Sequence, residues 1–136
     1  MSSQAGFRRS PYLRLLYAWG PVVGWALAIF IASSISNPPG LPGGVGDKTA
    51  HALVYLGLGA LAARAFAGGR ISAVDRHAFL RAVLLSAVYG LTDEVHQLFV
   101  GGRQFEGGDL AADTVGALVG AGALWAWSIM RGRSGA

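Results

Sequence analysis

The side chains able to do chemistry in this sequence fall into four short groups: Asp47, Lys48, His51 and Tyr55; then Asp93, Glu94, His96 and Gln97; then Arg103; and last Asp109 and Asp113. Carboxylates and imidazoles exchange protons, lysine and arginine hold anionic groups, and amides and phenols fix orientation by hydrogen bonding. Spacing groups them further. Asp47, His51 and Tyr55 recur every four residues, as do Tyr89, Asp93 and Gln97, and Asp109, Asp113, Gly116 and Gly120 continue the pattern, so each set shares one face if its segment is helical. Glu94 or Asp93 is a candidate general base, with His51 as acid or shuttle and Arg103 on phosphate charge. As a binding site the set is Asp47, Lys48, His51, Tyr55, Asp93, Glu94, Gln97, Arg103, Asp109 and Asp113. His96 reads as interfacial, and His77, in an arginine-rich turn, as solvated.

The elements that must position these groups are apolar helices. With 53% hydrophobic and 13% charged residues and a mean hydropathy of +0.46, the chain is too charge-poor for a soluble domain of 136 residues. Apolar runs of about twenty residues cover Leu15 to Ile35, Thr49 to Ala67, Phe79 to Phe99 and Leu110 to Met130. The predicted fold is all-α, a four-helix transmembrane bundle forming a single membrane domain over residues 1–136. The run Asn37-Pro38-Pro39-Gly40-Leu41-Pro42-Gly43-Gly44 cannot continue a helix, Gly68-Gly69 closes the second span, and Gly101-Gly102 and Gly107-Gly108 bracket the third loop. Gly116 and Gly120 form a small-xxx-small pair expected to pack closely against another helix.

Arg8, Arg9, Arg14, Arg64, Arg70, Arg76, Arg81, Arg131 and Arg133 all fall at one end of the spans, whereas Lys48 and Arg103 fall at the other. By the positive-inside rule both termini are cytoplasmic and the polar groups gather at the extracytoplasmic face. The arginines sit on short flanks and form no stripe with aromatics, which argues against nucleic acid. Tyr12, Tyr17, Trp19, Trp125 and Trp127 suit interfacial belts. Arg8-Arg9 followed by a span ending in Ala32-Ser33-Ser34 has the outline of a signal peptide, but the apolar stretch is roughly twice the usual length of such a segment. With no cysteine there is neither a disulfide nor a thiolate site.

At a rise of 1.5 Å per residue, Tyr55 and Asp93 would lie roughly 9 Å inside the hydrocarbon. A carboxylate deep in a bilayer costs about 2.5–3.5 kcal/mol on insertion scales unless it is paired, protonated or facing water. Asp47, Asp93, Glu94, Glu106, Asp109 and Asp113 outnumber Lys48 and Arg103 at this face. Pairing alone, as in a network that merely fixes helix register, leaves carboxylates over, and the surplus points to a ligand, ion or proton.

The order Asp47-Lys48-Thr49-Ala50-His51 with Tyr55, then Tyr89 and Asp93-Glu94-Val95-His96-Gln97, then Gly102-Arg103, then Asp109 with Gly116 resembles the VanZ-like family of small bacterial membrane proteins, over roughly Gly46 to Leu124. The resemblance implies a multi-pass protein of the bacterial inner membrane, related to an accessory protein of glycopeptide resistance that lowers susceptibility to teicoplanin. It places motif positions on Asp47, Lys48, His51, Tyr55, Asp93, Glu94, Gln97, Arg103 and Asp109. Asp113 departs from it, standing where many relatives carry Asn.

The expectation is therefore a polar extracytoplasmic pocket that binds a cell-envelope or glycopeptide-type ligand. Lys48 and Arg103 would hold its anionic group, while the carboxylates and Gln97 accept hydroxyl and amide donors. The alternative is a membrane-embedded hydrolase or transferase acting on a lipid-linked envelope substrate. No metal and no cofactor is expected, since no HExxH motif, nucleophile elbow or phosphate-cradling loop is present. A metal-dependent variant would use His51, Asp93, Glu94 and Asp113 as ligands. Expected partners are the membrane lipid bilayer and a lipid-linked envelope precursor or glycopeptide antibiotic, with no nucleic acid; small-residue faces also suit a homo-oligomer. Proton- or ion-coupled transport fits poorly, because no inverted repeat or broken helix is visible.

Overall fold

Four helices follow one another along the described chain: α1 (Pro11–Ser33), α2 (Asp47–Phe66), α3 (Arg76–Gln97) and α4 (Gly107–Arg133), with a short 3₁₀ turn at Ile71–Ala73 between α2 and α3. The computed structural model describes residues 10–36 and 46–133. The proline-rich run from Asn37 to Gly44, together with Arg8 and Arg9, lies outside the described residues. Each helix begins two to four residues ahead of its apolar run. Asp47 and Asp109 fall in the first turns of α2 and α4, where the positive end of the helix dipole favours a carboxylate.

Three helices, α1, α2 and residues Gly107–Gly132 of α4, are long and apolar enough to cross a membrane. Helix α3 carries Arg81, Asp93 and Glu94 and is not among them. Outward-facing side chains fit a lipid surround. Tyr12, Leu16, Ile31, Leu84, Phe99 and Met130 are each at least 60% exposed, an arrangement that water would penalise and lipid tails do not.

What draws these helices together is the absence of side chains at one seam. Along α4, Gly116 lies on the backbone of Ala52 and Gly120 on that of Leu56, while Gly59 of α2 lies on the backbone of Ala117. No Cβ fits at any of the three without the two helices separating, so the Gly116 and Gly120 pair does bring α4 tightly onto α2. α3 packs on both helices through an alanine-rich core of Ala62, Ala63, Ala78, Ala82 and Ala121, with Phe79 stacked on Trp125 at 5.2 Å. Trp19 likewise packs edge-on against Phe66 at 4.9 Å. These two tryptophans are packing residues, whereas Tyr12 points outward.

α1 is attached differently. Pro21 has no N–H, so within α1 the carbonyl of Tyr17 loses its usual donor. Arg64 of α2 supplies a replacement, donating from Nη1 to Tyr17 O at 3.2 Å while its guanidinium covers the Tyr17 ring at 4.4 Å. Further along, Trp25 Nε1 donates to Val54 O at 2.9 Å and Tyr89 Oη to Ala26 O at 2.6 Å.

The turns follow their residues. Gly68 and Gly69 have φ of 68° and 84°, and their N–H groups close α2 by bonding Ala65 O and Arg64 O. Gly102, at φ 80°, makes the turn after α3. Gly107 and Gly108, read from the sequence as loop, are instead the first residues of α4. The bare Gly108 leaves room for the Lys48 side chain, whose Cε a Cβ there would meet at 2.8 Å.

Asp75 caps α3, accepting from Ala78 N at 2.7 Å. That backbone donor holds its carboxyl below the ordinary value of 3.8. A carboxyl lowered by folding stabilises the protein above its unfolded value, and the benefit is lost as pH falls through the folded value. Asp75→Ala should accordingly lower the melting temperature at neutral pH, and the gap from the parent protein should close on acidification. Parallel melting curves across pH check this.

Candidate functional site

The C-terminal ends of α1 and α3 and the N-terminal ends of α2 and α4 meet at one end of the bundle, so the polar groups of separate chain segments come into contact. The outer layer surrounds a cavity of about 520 Å³ lined by Asp47, Gln97, Gly102, Arg103, Gln104, Glu106 and Asp109. Lys48 closes one side, with Nζ 3.1 Å from Glu106 Oε2 and 3.2 Å from Asp109 Oδ1. That pairing occupies Lys48 with protein carboxylates and leaves Arg103 as the cationic side chain of the lining. Arg103 Nε is 3.4 Å from Ile35 O, a long contact.

Deeper along the helices the groups are buried. His51 of α2 bridges two carboxylates of α4: Nδ1 is 2.9 Å from Asp113 Oδ1 and Nε2 is 3.7 Å from Asp109 Oδ2. Asp113 is 1% exposed and Asp109 4%. A carboxylate on one ring nitrogen orients an imidazole and fixes which nitrogen carries the proton. Glu94 of α3 is 1% exposed. Its Oε2 accepts from the backbone N of Glu106 at 3.0 Å, whereas Oε1 has no partner among the described residues. The Tyr55 hydroxyl is likewise buried and unpartnered. Tyr55 and Asp113 meet over Gly90, where a Cβ would lie 3.0 Å from Asp113 Oδ2 and 3.3 Å from Tyr55 Cε1. Glycine at this point of α3 is what lets side chains from α2 and α4 approach each other.

Asp93 takes no part in that cluster. It turns to α1, accepting from Ser33 Oγ at 2.6 Å, and its other oxygen is 3.4 Å from Gln97 Nε2. Beside it Ser34 Oγ and His96 Nε2 are 3.0 Å apart, giving His96 a partner at the span end. Of the residues read from the sequence, Asp47, Gln97, Arg103 and Asp109 line the cavity, Lys48 pairs at its edge, and His51, Tyr55, Glu94 and Asp113 form the buried layer.

Ser33, Gly102, Gln104 and Glu106 are not among the site residues that the sequence suggests. Ser33 looked like part of a signal-peptide outline, and the only sequence cue to its role was a hydroxyl at the end of a span facing the level of Asp93. Glu106 counted only towards the charge surplus; its backbone N–H, which holds Glu94, leaves no trace in residue type.

Among the described residues two sets offer three metal-ligating side chains each: Asp47, His51 and Asp109, and, more deeply, His51, Glu94 and Asp113. Within each set one ligand atom per residue lies within 4.8 Å of the others.

Fold and site together define a helical membrane-type bundle that carries a buried polar layer and a polar cavity at one end. The chain belongs to the VanZ/LLP1 family, whose model matches residues 27–130. No curated protein and no solved structure matches the chain.

Proposed function

We propose that the chain is one membrane domain of four spans in the bacterial inner membrane, with both termini cytoplasmic, and that its cavity binds the polar part of a cell-envelope or glycopeptide-type molecule. What supports this most is the cavity of about 520 Å³ itself, set between the ends of three polar helix faces and lined by hydrogen-bonding groups. Arg103 takes an anionic group of the ligand, Asp47 and Asp109 accept hydroxyl or amine donors, and Gln97, oriented by Asp93, reads an amide or sugar. Counting α3 as a span supports the topology, because Arg76 and Arg81 then lie at the same side as Arg64 and Arg131. A link to teicoplanin-type resistance follows from the family and from a ligand of this chemistry.

The test is binding to purified protein in detergent, with a lipid-linked disaccharide precursor and teicoplanin as probes. Arg103→Ala should weaken the preferred probe by about 10- to 100-fold, the equivalent of one charge-assisted hydrogen bond. Equal affinity of parent and variant for both probes overturns the reading. A second reading, a membrane-embedded hydrolase or transferase, draws on the 2.9 Å His51–Asp113 pair as an oriented base. The two part on turnover, since a binding protein returns its ligand unchanged.

A further inference from the structure

We infer that His51, Glu94 and Asp113 form a binding site for a divalent first-row transition cation, of which Zn²⁺ is the reference probe. The donor set is one imidazole nitrogen and two carboxylate oxygens, contributed by α2, α3 and α4, with ligand atoms within 4.8 Å of one another. A cation bound at about 2.0–2.2 Å from each ligand requires ligand atoms no farther apart than about 4.0–4.4 Å, so atoms that lie within 4.8 Å of one another close around an ion after drawing together by up to roughly an ångström. Imidazole together with carboxylate selects the zinc-like end of the series over magnesium or calcium.

Independent of the spacing is the state of Glu94. A carboxylate oxygen that is fully buried and accepts nothing is costly, yet Glu94 Oε1 is left so while Oε2 is held by the Glu106 N–H. Fixing one oxygen while freeing the other is how a ligating carboxylate is presented to a metal. Two further carboxylates, Asp109 and Asp113, flank the same imidazole. Lys48, the nearby base, is spent on Glu106 and Asp109 in the outer layer. The buried layer is therefore acidic beyond what its own bases neutralise, and a divalent cation meets both that charge and the free oxygen. The outer set lacks this argument, for its Asp47 is exposed and its Asp109 is already paired with Lys48. Three protein ligands leave a coordination position for water or an incoming group.

The experiment uses the full chain in detergent, stripped with chelator and titrated with Zn²⁺ alone by calorimetry, with metal content and melting temperature measured in parallel. The expected result is one equivalent of Zn²⁺ and a rise in melting temperature with free Zn²⁺, as binding to the folded state requires. Glu94→Gln and Asp113→Asn, which keep side-chain shape, should each weaken binding by more than about 10-fold, the least that loss of even an outer-shell partner costs. Asp47→Asn should leave it unchanged. Absence of saturable Zn²⁺ uptake by the parent protein overturns the site, whatever the variants do. So does uptake that survives both Glu94→Gln and Asp113→Asn, or that is abolished by Asp47→Asn. Because the probe is the metal alone, failure here leaves envelope-ligand binding in the cavity standing, and failure of that binding leaves this site standing.

Discussion

His51→Leu is expected to destabilise the protein by about 3 kcal/mol, the consequence of leaving a buried carboxylate without its hydrogen-bonding partner. The imidazole lies 2.9 Å from an Asp113 oxygen and 3.7 Å from an Asp109 oxygen. Asp109 keeps Lys48 when the ring is lost, but Asp113, at 1% exposure, keeps no such partner. The loss is therefore less the value of the contact than the cost of a stranded carboxylate. His51→Leu combined with Asp113→Leu should recover most of it, since an apolar pair of similar volume is often as stable as the ionic one it replaces. Chemical denaturation in detergent, with chelator present throughout, measures both. A single variant within about 1 kcal/mol of the parent would show that the pair does not hold α2 to α4.

The second large effect is at the seam. Gly120→Ala adds only a methyl group and improves helix propensity by about 1 kcal/mol, yet it should be destabilising overall by on the order of 2 kcal/mol. The new Cβ would fall on the Leu56 carbonyl, 2.8 Å from its carbon, and a backbone group cannot rotate aside. Helix α4 must move off α2, and with it the alignment of Asp113 on His51. Gly24→Ala is the matched control, because nothing lies within 4 Å of a Cβ there. It should be neutral or slightly stabilising. Melting temperatures of the two variants, measured side by side, decide the matter, and equal values would remove the seam from the account.

Much of this was legible in the residue order, and the part that was not has a definite cause. Spacing every four residues fixes which groups share a face, so the stripe through Asp47, His51 and Tyr55 and the stripe through Asp109, Asp113, Gly116 and Gly120 both appear in the structure as one contact surface between α2 and α4. Spacing says nothing about how one helix is rotated against the next. Adjacent residues Asp93 and Glu94 diverge for that reason, Asp93 turning to Ser33 of α1 and Glu94 entering the layer with His51 and Asp113. The sequence leaves Lys48 either as a cation for a ligand or as a partner for one of the carboxylates at its face; that it meets Glu106 and Asp109, about sixty positions away, becomes visible only once α4 folds back across α2. The helices also begin ahead of the apolar windows, because hydropathy marks where lipid begins and not where hydrogen bonding starts.

The way α1 is fastened has a consequence for what can change in it. Arg64 and Tyr89 grip the carbonyls of Tyr17 and Ala26; the second grip asks nothing of the Ala26 side chain, whereas the first needs Pro21 to free the carbonyl and the Tyr17 ring under the guanidinium. The acceptors are main-chain oxygens, but the one at Tyr17 is available only because residue 21 is proline. Outward positions such as Leu16 and Ile31 can thus be rewritten to suit a thicker bilayer, while Tyr17, Pro21 and Trp25 keep the seat of this segment on the remaining helices.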